Sequence, residues 1–231
     1  MPRSAQFLPS QHGFAFTNSW PAQPAVVRST PFGRIEIGNA AGGLCGGMVF
    51  AALDYWYASL DPPGQRPEQG EPLRAYVVKR LVDSWHLPGG VLQYFQWMNL
   101  PDGDRGFEAF GRQVLTERGL AWRTISVQWP QIRADLDHGI PVPLGLVTVA
   151  SAKPRDLALN HQVLAVSYHS AGDNITLLVY DPNHGRRDDI AIRFPVGAPT
   201  ATTAFKHNLG IGHPVRGFFR APYTRATPPA R

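Results

Sequence analysis

One cysteine, Cys45, serves the whole of this 231-residue chain. No internal disulfide can form, so the fold does not rest on an oxidising compartment, and a lone thiol is what remains when sulfur is kept for its reactivity. Long apolar runs are missing as well. No stretch approaches the roughly 20 apolar residues of a membrane helix, and Met1-Pro2-Arg3-Ser4-Ala5-Gln6-Phe7 lacks the apolar centre of a secretory signal. These absences favour the cytoplasm, or export by a route that reads no N-terminal signal, and give no reason to expect a membrane partner. Basic runs are lacking too. The chain has 22 Lys and Arg against 17 Asp and Glu, a formal charge of +5. The excess is scattered singly and resembles no nucleic-acid arm. It is densest at the end (Arg216, Arg220, Arg225, Arg231), where residues 223–231 read as a flexible tail. No internal repeat, low-complexity segment or long linker divides the chain.

What is present is ordinary for a globular protein: 43% apolar, 17% charged and 11% aromatic residues, with 23 Gly and 22 Pro that imply many turns. Residues 1–34 are rich in Pro, Ser, Asn and Gln but carry Phe14, Phe16, Trp20 and Phe32. They read as an extended arm that lays its aromatics on the body, with room for one short strand. From Met48 to Tyr57 the chain is apolar nearly all round, a buried helix of about three turns stopped by Asp61-Pro62-Pro63-Gly64. Residues 61–70 form a surface loop, which with the arm is expected to border the cleft. Helices are expected over 71–86, opened by Glu71-Pro72, and over 91–99 and 106–119, the last closed by Gly119. The pattern then changes. Thr124–Val127 reads as a strand, Trp129–His138 as a short helix ended by Gly139, and Val142–Val149, His161–Tyr168, Ile175–Asp181, Asp188–Phe194 and Val215–Phe219 as strands. The fold class is α+β: helices in the first half, an antiparallel sheet in the second, forming one domain of two lobes over 35–222 with a helical insertion at about 71–119.

Cys45 stands inside Gly42-Gly43-Leu44-Cys45-Gly46-Gly47, where a bare turn enters the buried helix. A thiolate, not a thiol, is the nucleophile, and unpaired N–H groups and the dipole at a helix N-terminus favour it. The same N–H groups, that of Cys45 above all, can bind an oxyanion. A buried, inert cysteine is the bland alternative. The glycines argue against it, since they suit a backbone that a substrate approaches. Gly42, Gly43 and Gly46, with Asn160, are therefore candidate cleft residues.

A cysteine nucleophile needs a base, and the base needs a group to orient it. His161 opens one expected strand and Asp181 closes the next, with the turn at 170–174 between them. In an antiparallel hairpin the start of one strand lies near the end of the other, so the pair meets, and the carboxylate can fix the imidazole's tautomer. Taken singly, His161 could be a satisfied strand-end histidine and Asp181-Pro182 a plain turn. Their joint order with Cys45 points to function. His207 and His213 lie near glycines without an acidic or cysteine partner at ligand spacing, so no metal and no other cofactor is expected.

The order Cys45-Gly46, His161-Gln162-Val163, Asp181-Pro182 resembles the papain-like superfamily of cysteine peptidases, and most of all its bacteriocin-processing (double-glycine leader) group. Trp129–Val147, with Gly139-Ile140-Pro141-Val142, is similar to the helix-turn-strand that leads into the His strand there. The resemblance covers roughly residues 35–185. It implies a papain-like fold and a Cys45–His161–Asp181 triad that cleaves a peptide or amide bond through a thioester. It also implies an oxyanion hole completed from the position six before the cysteine, where the family has Gln and this chain has Asn39. A peptide or protein would be the partner. Two other outcomes of such a fold stay open: a glutamine deamidase or transamidase effector, and an inactive binding module.

Overall fold

A computed structural model describes residues 6–21, 26–30, 33–37, 43–86, 89–109 and 112–229. The α+β expectation holds: helices and an antiparallel sheet share the chain, with the helices mostly early. A short α1 (Pro9–His12) is followed by a hairpin of β1 (Val26–Thr30) and β2 (Gly33–Ile37). Then come α2 (Cys45–Tyr57), α3 (Pro72–Ser84) and α4 (Gly89–Met98). Every residue of α2 from Gly46 to Trp56 is buried. That is the outcome of a segment apolar on all faces. It packs against α3 so closely that a Cβ on Gly47 would collide with the Val77 carbonyl. Glycine is required there for backbone contact.

The aromatics of the arm do pack on the body. Phe7, Phe14 and Trp20 are buried in one cluster with α2, α3, Leu164 and Tyr180. The single charge inside α2, Asp54, is fully buried and multiply satisfied. Arg80 Nε lies 2.7 Å away, and Tyr76, Tyr223 and the Ala226 N–H all donate to it. The segment read as a flexible tail is thus hydrogen-bonded to α2 as far as Pro229, whose carbonyl accepts from Tyr55. The basic residues near the end are engaged too: Arg216 pairs with Asp102, Arg220 with Asp135, and Arg225 of the tail donates to the Tyr57 carbonyl.

Two elements differ from the sequence reading. Residues 106–119 are not a helix: β3 (Arg105–Ala109) and β4 (Arg112–Glu117) form a hairpin, leaving Phe107 and Leu115 exposed. Apolar residues at 107, 110, 114 and 115 satisfy helical spacing equally well. The crossing, however, brings the Gly106 Cα against the Val114 carbonyl, an approach only glycine permits. Gly119 does not end a helix but precedes α5 (Leu120–Trp122). The strand expected at Thr124–Val127 is instead a π-helical stretch, Arg123–Gln128, running into α6 (Trp129–Asp137). Its β-branched Thr124 bonds sideways: the hydroxyl donates to the Phe218 carbonyl and accepts the Phe218 N–H. Tertiary hydrogen bonding here overrides β propensity.

The main sheet is antiparallel, in the order β10-β5-β6-β7-β8-β9. Its strands are β5 (Val142–Val147), β6 (His161–Ala171), β7 (Asn174–Tyr180), β8 (Ala191–Pro195), β9 (Lys206–His207) and β10 (Gly217–Arg220). A bridge between Phe205 and Val215, just ahead of the two edge strands, curls the sheet onto itself. Inside the curl lie Val163, Ala165, Leu177, Val179 and Ile192, sealed by Trp129 and Ile132 of α6.

Candidate active site

The thiol is placed by a cross-chain clamp. Asn18, in the N-terminal arm, accepts the Leu44 N–H at 2.7 Å through Oδ1, and the same oxygen accepts from the Trp20 indole. Its Nδ2 donates to Asn183 Oδ1 at 3.0 Å, and its own N–H donates to the Pro182 carbonyl. One side chain thus ties the residue before Cys45 to the residues after Asp181. α2 starts at Cys45 with no side-chain cap, and Met48 N–H makes the first backbone bond back to Leu44. The N–H groups of Cys45, Gly46 and Gly47 therefore have no acceptor within the helix. Cys45 itself is partly exposed.

His161 begins β6, in the middle of the sheet, and Asp181 follows the last residue of β7. Their meeting depends on a bulge. From the two-residue turn, β6 and β7 pair as Ala171↔Asn174 through Ser167↔Leu178. Past Val166 the register shifts to Ala165↔Val179 and Leu164↔Tyr180. One step further this sets Asp181 opposite Val163, on the face Val163 shares with His161. The unshifted register would set it opposite Leu164, on the other face. The simple hairpin argument thus needs Val166 as an extra residue.

The imidazole lies between two partners. Nε2 lies 2.8 Å from Asp181 Oδ1, and the Cys45 sulfur is near enough to the ring to act on its charge. His161 is 6% exposed and Asp181 is 0% exposed. Burial acts to discharge both groups. For His161 the Asp181 charge, the neighbouring sulfur and the hydrogen bonds outweigh it, and the imidazole is raised from 6.5 to about 10. For Asp181 burial is likewise overcome, by the His161 charge and by hydrogen bonds that include the Asn183 N–H at 2.8 Å, and the carboxyl is held far below the usual range. The pair is therefore imidazolium and carboxylate near neutral pH.

The remaining expected residues fare differently. Asn39 and Gly42 lie outside the described residues. Gly43 and Gly46 do not open onto a cleft: a Cβ on Gly43 would sit 2.7 Å from Asn18 Nδ2. One on Gly46 would strike the Gln162 side chain and the Ser84 hydroxyl. Their bareness serves internal packing. Asn160 is occupied in the fold, with Oδ1 accepting the Thr148 N–H and Nδ2 donating to the Leu157 carbonyl.

Two further groups line the site that the sequence did not single out. Gln162, 4% exposed, lies beside Tyr94 and leaves its buried Oε1 without a hydrogen-bond partner next to Gly46. Tyr94 also donates to the His161 carbonyl at 3.3 Å, fixing the start of β6. Only the place of Gln162 next to His161 could have drawn attention to it. Asn18 and Tyr94 come from distant segments and carry no local signal. The arm and the 61–70 loop do border a shared cavity of about 560 Å³, but its lining, which includes Phe16, Thr17, Arg66 and Arg74, does not include Cys45 or His161. Among the described residues no cluster of three His, Cys, Asp or Glu side chains has the arrangement of a metal site.

Comparison of the chain with protein-family models, with curated proteins and with solved structures finds no match in any of the three.

Proposed function

We propose that the protein is a papain-like cysteine hydrolase that cleaves a peptide or amide bond through a thioester. The observation that carries this reading is one buried imidazole bonded to a carboxylate through Nε2 and influenced by a neighbouring cysteine sulfur, with that sulfur at the first residue of a helix. The motif order Cys45-Gly46, His161-Gln162-Val163, Asp181-Pro182 supports it, through its resemblance to the bacteriocin-processing peptidases. So does a helical lobe meeting an antiparallel sheet at the thiol.

The steps follow from the geometry. The Cys45 sulfur attacks the carbonyl carbon, forming the S–C bond. The negative oxygen turns toward the N–H groups that open α2, with Asn39 as the further donor the resemblance implies. Imidazolium His161 gives its Nδ1 proton to the leaving amine as the C–N bond breaks. Water then attacks the thioester, passing a proton back to Nδ1. The acid leaves and the sulfur is restored. Asp181 keeps its charge throughout and stabilises the imidazolium. No step calls on a metal or cofactor.

The test is a peptide-library digest read by mass spectrometry, with Cys45→Ala as control. Cleavage fragments that vanish in the variant, a loss of at least roughly 10³-fold, are expected. The same chemistry on a glutamine side chain would appear as the small mass gain of an amide turned acid, with no fragment. Turnover that persists in a folded Cys45→Ala protein would refute the mechanism.

A further inference from the structure

The dyad leaves one buried oxygen unexplained. Asp181 Oδ1 accepts from both His161 and the Asn183 N–H. Oδ2 is fully buried and has no well-directed hydrogen bond. A second histidine, His207, stands against it: its Nε2 is 3.1 Å from Oδ2, and its side chain is 2% exposed. The contact is short but bent, so that Nε2 too lacks a well-directed partner. The backbone N–H of Leu209 donates to His207 Nδ1 at 3.3 Å, which places the proton of the neutral ring on Nε2, facing the carboxylate. Donor and acceptor are therefore of the right kind.

His207 is held there deliberately. It lies in the two-residue strand β9, paired with Ile192. The next residue, Asn208, grips β8 through three bonds: its N–H to the Ala191 carbonyl, its Oδ1 from the Ala191 N–H and its Nδ2 to the Asp189 carbonyl. His184 stacks on the ring at 5.9 Å and keeps its own Nε2 3.9 Å from Oδ2, at the more exposed side. The imidazole sets a nitrogen against a buried carboxylate oxygen that has no well-directed hydrogen bond.

We propose that His207 is a positioning residue of the site: its Nε2–H anchors the second oxygen of Asp181, so that the carboxylate holds His161 with Nδ1 directed at Cys45. The inference rests on the hydrolase reading. It turns the expected triad into a line of four groups, Cys45–His161–Asp181–His207, drawn from α2, β6, the end of β7 and β9. Without His207 the carboxylate could turn about its side-chain bond and lose its alignment with the ring.

The test compares His207→Phe, which keeps a ring but no donor, with His207→Gln, whose amide N–H reaches the same point. Three readouts are taken: the alkylation rate of Cys45 by iodoacetamide at about pH 6, where free thiols are slow, the downfield proton resonance of the His161–Asp181 hydrogen bond, and the melting temperature. His207→Phe should slow alkylation about tenfold and weaken the downfield signal while still melting cooperatively, and His207→Gln should restore both. Equal alkylation and an unchanged resonance in His207→Phe would overturn the proposal, as would equal losses in both variants. Should neither variant fold, nitrogen-15 spectra of the wild-type protein decide: a proton on Nε2 of His207 is required, and a proton on Nδ1 alone contradicts it. Wild-type alkylation that ignores His161→Ala would instead strike at the hydrolase reading itself, and is recognised because no change at position 207 is involved.

Discussion

The His161 ring sits between the Asp181 carboxylate and the Cys45 sulfur, and the charge on the ring has a consequence for stability. The imidazole is raised from 6.5 to about 10 in the folded protein, burial being outweighed by Asp181, by the sulfur and by their hydrogen bonds. A group with a raised native value adds stability that is complete below its unfolded value and declines as pH climbs to the native one. The contribution of His161 is therefore full below about 6.5 and lost between there and about 10. Asp181 acts in the opposite sense: its contribution is present above the ordinary carboxylate value of 3.8 and fades as pH falls toward its depressed native one. Calorimetry should find the melting temperature of the wild-type protein falling from neutral to alkaline pH. The fall should be much smaller in His161→Gln. Parallel curves would mean the ring is not charged in the fold. The three expected residues were legible because each has a local signature: a cysteine at a helix start, a histidine opening a strand, Asp-Pro closing another. Asn18, Tyr94 and His207 act only through contacts made by folding, and only the place of Gln162 beside His161 hints at the fourth.

At the scale of elements, α2 carries both the proposed nucleophile and a buried charge with several partners. Asp54 sits nine residues after Cys45, is 0% exposed, and faces Arg80, which is 3% exposed. Removing one partner of such a pair leaves the other charged and buried. Asp54→Ala is expected to cost roughly 3 kcal/mol in chemical denaturation and to free the segment after Ala221 to proteases. A change under a few tenths would show that Tyr76, Tyr223 and Arg80 do not depend on it. The elements whose apolar spacing allowed a single period were legible: α2, α3, α4, α6 and the strands β5 to β8 and β10 fall where the pattern put them. The pattern failed at 106–119, where helix and hairpin fit the same four apolar positions. It failed again at 123–128, where Thr124 finds its bonds on β10. The bulge at Val166 was invisible because a register shift is decided by pairing, not by composition, yet it sets which face Asp181 occupies.

For the whole molecule, the site lies on the seam between two cores. α2 and the arm belong to one and the inner face of the curled sheet to the other, with Leu164 and Tyr180 reaching across to the first. Asn18 fastens that seam at the point of chemistry. Asn18→Ala should therefore lower turnover roughly 10- to 100-fold, mainly through kcat, with a modest drop in melting temperature. Unchanged turnover would show that α2 and the sheet hold the sulfur and ring in place without the arm. The division into a helical and a sheet part was legible from the change in pattern near residue 120. That the arm borders the cleft was expected from its aromatics; that Asn18 is the residue joining it to the site was not legible, because long-range hydrogen bonds leave no periodicity.

The most direct measurement is the rate at which iodoacetamide alkylates Cys45 as pH is varied, in the wild-type protein and in His161→Ala. At about pH 6, where free thiols are slow, Cys45 of the wild-type protein should be alkylated much faster than that of His161→Ala, which should keep its fold. Superimposable profiles for the two proteins would contradict the account.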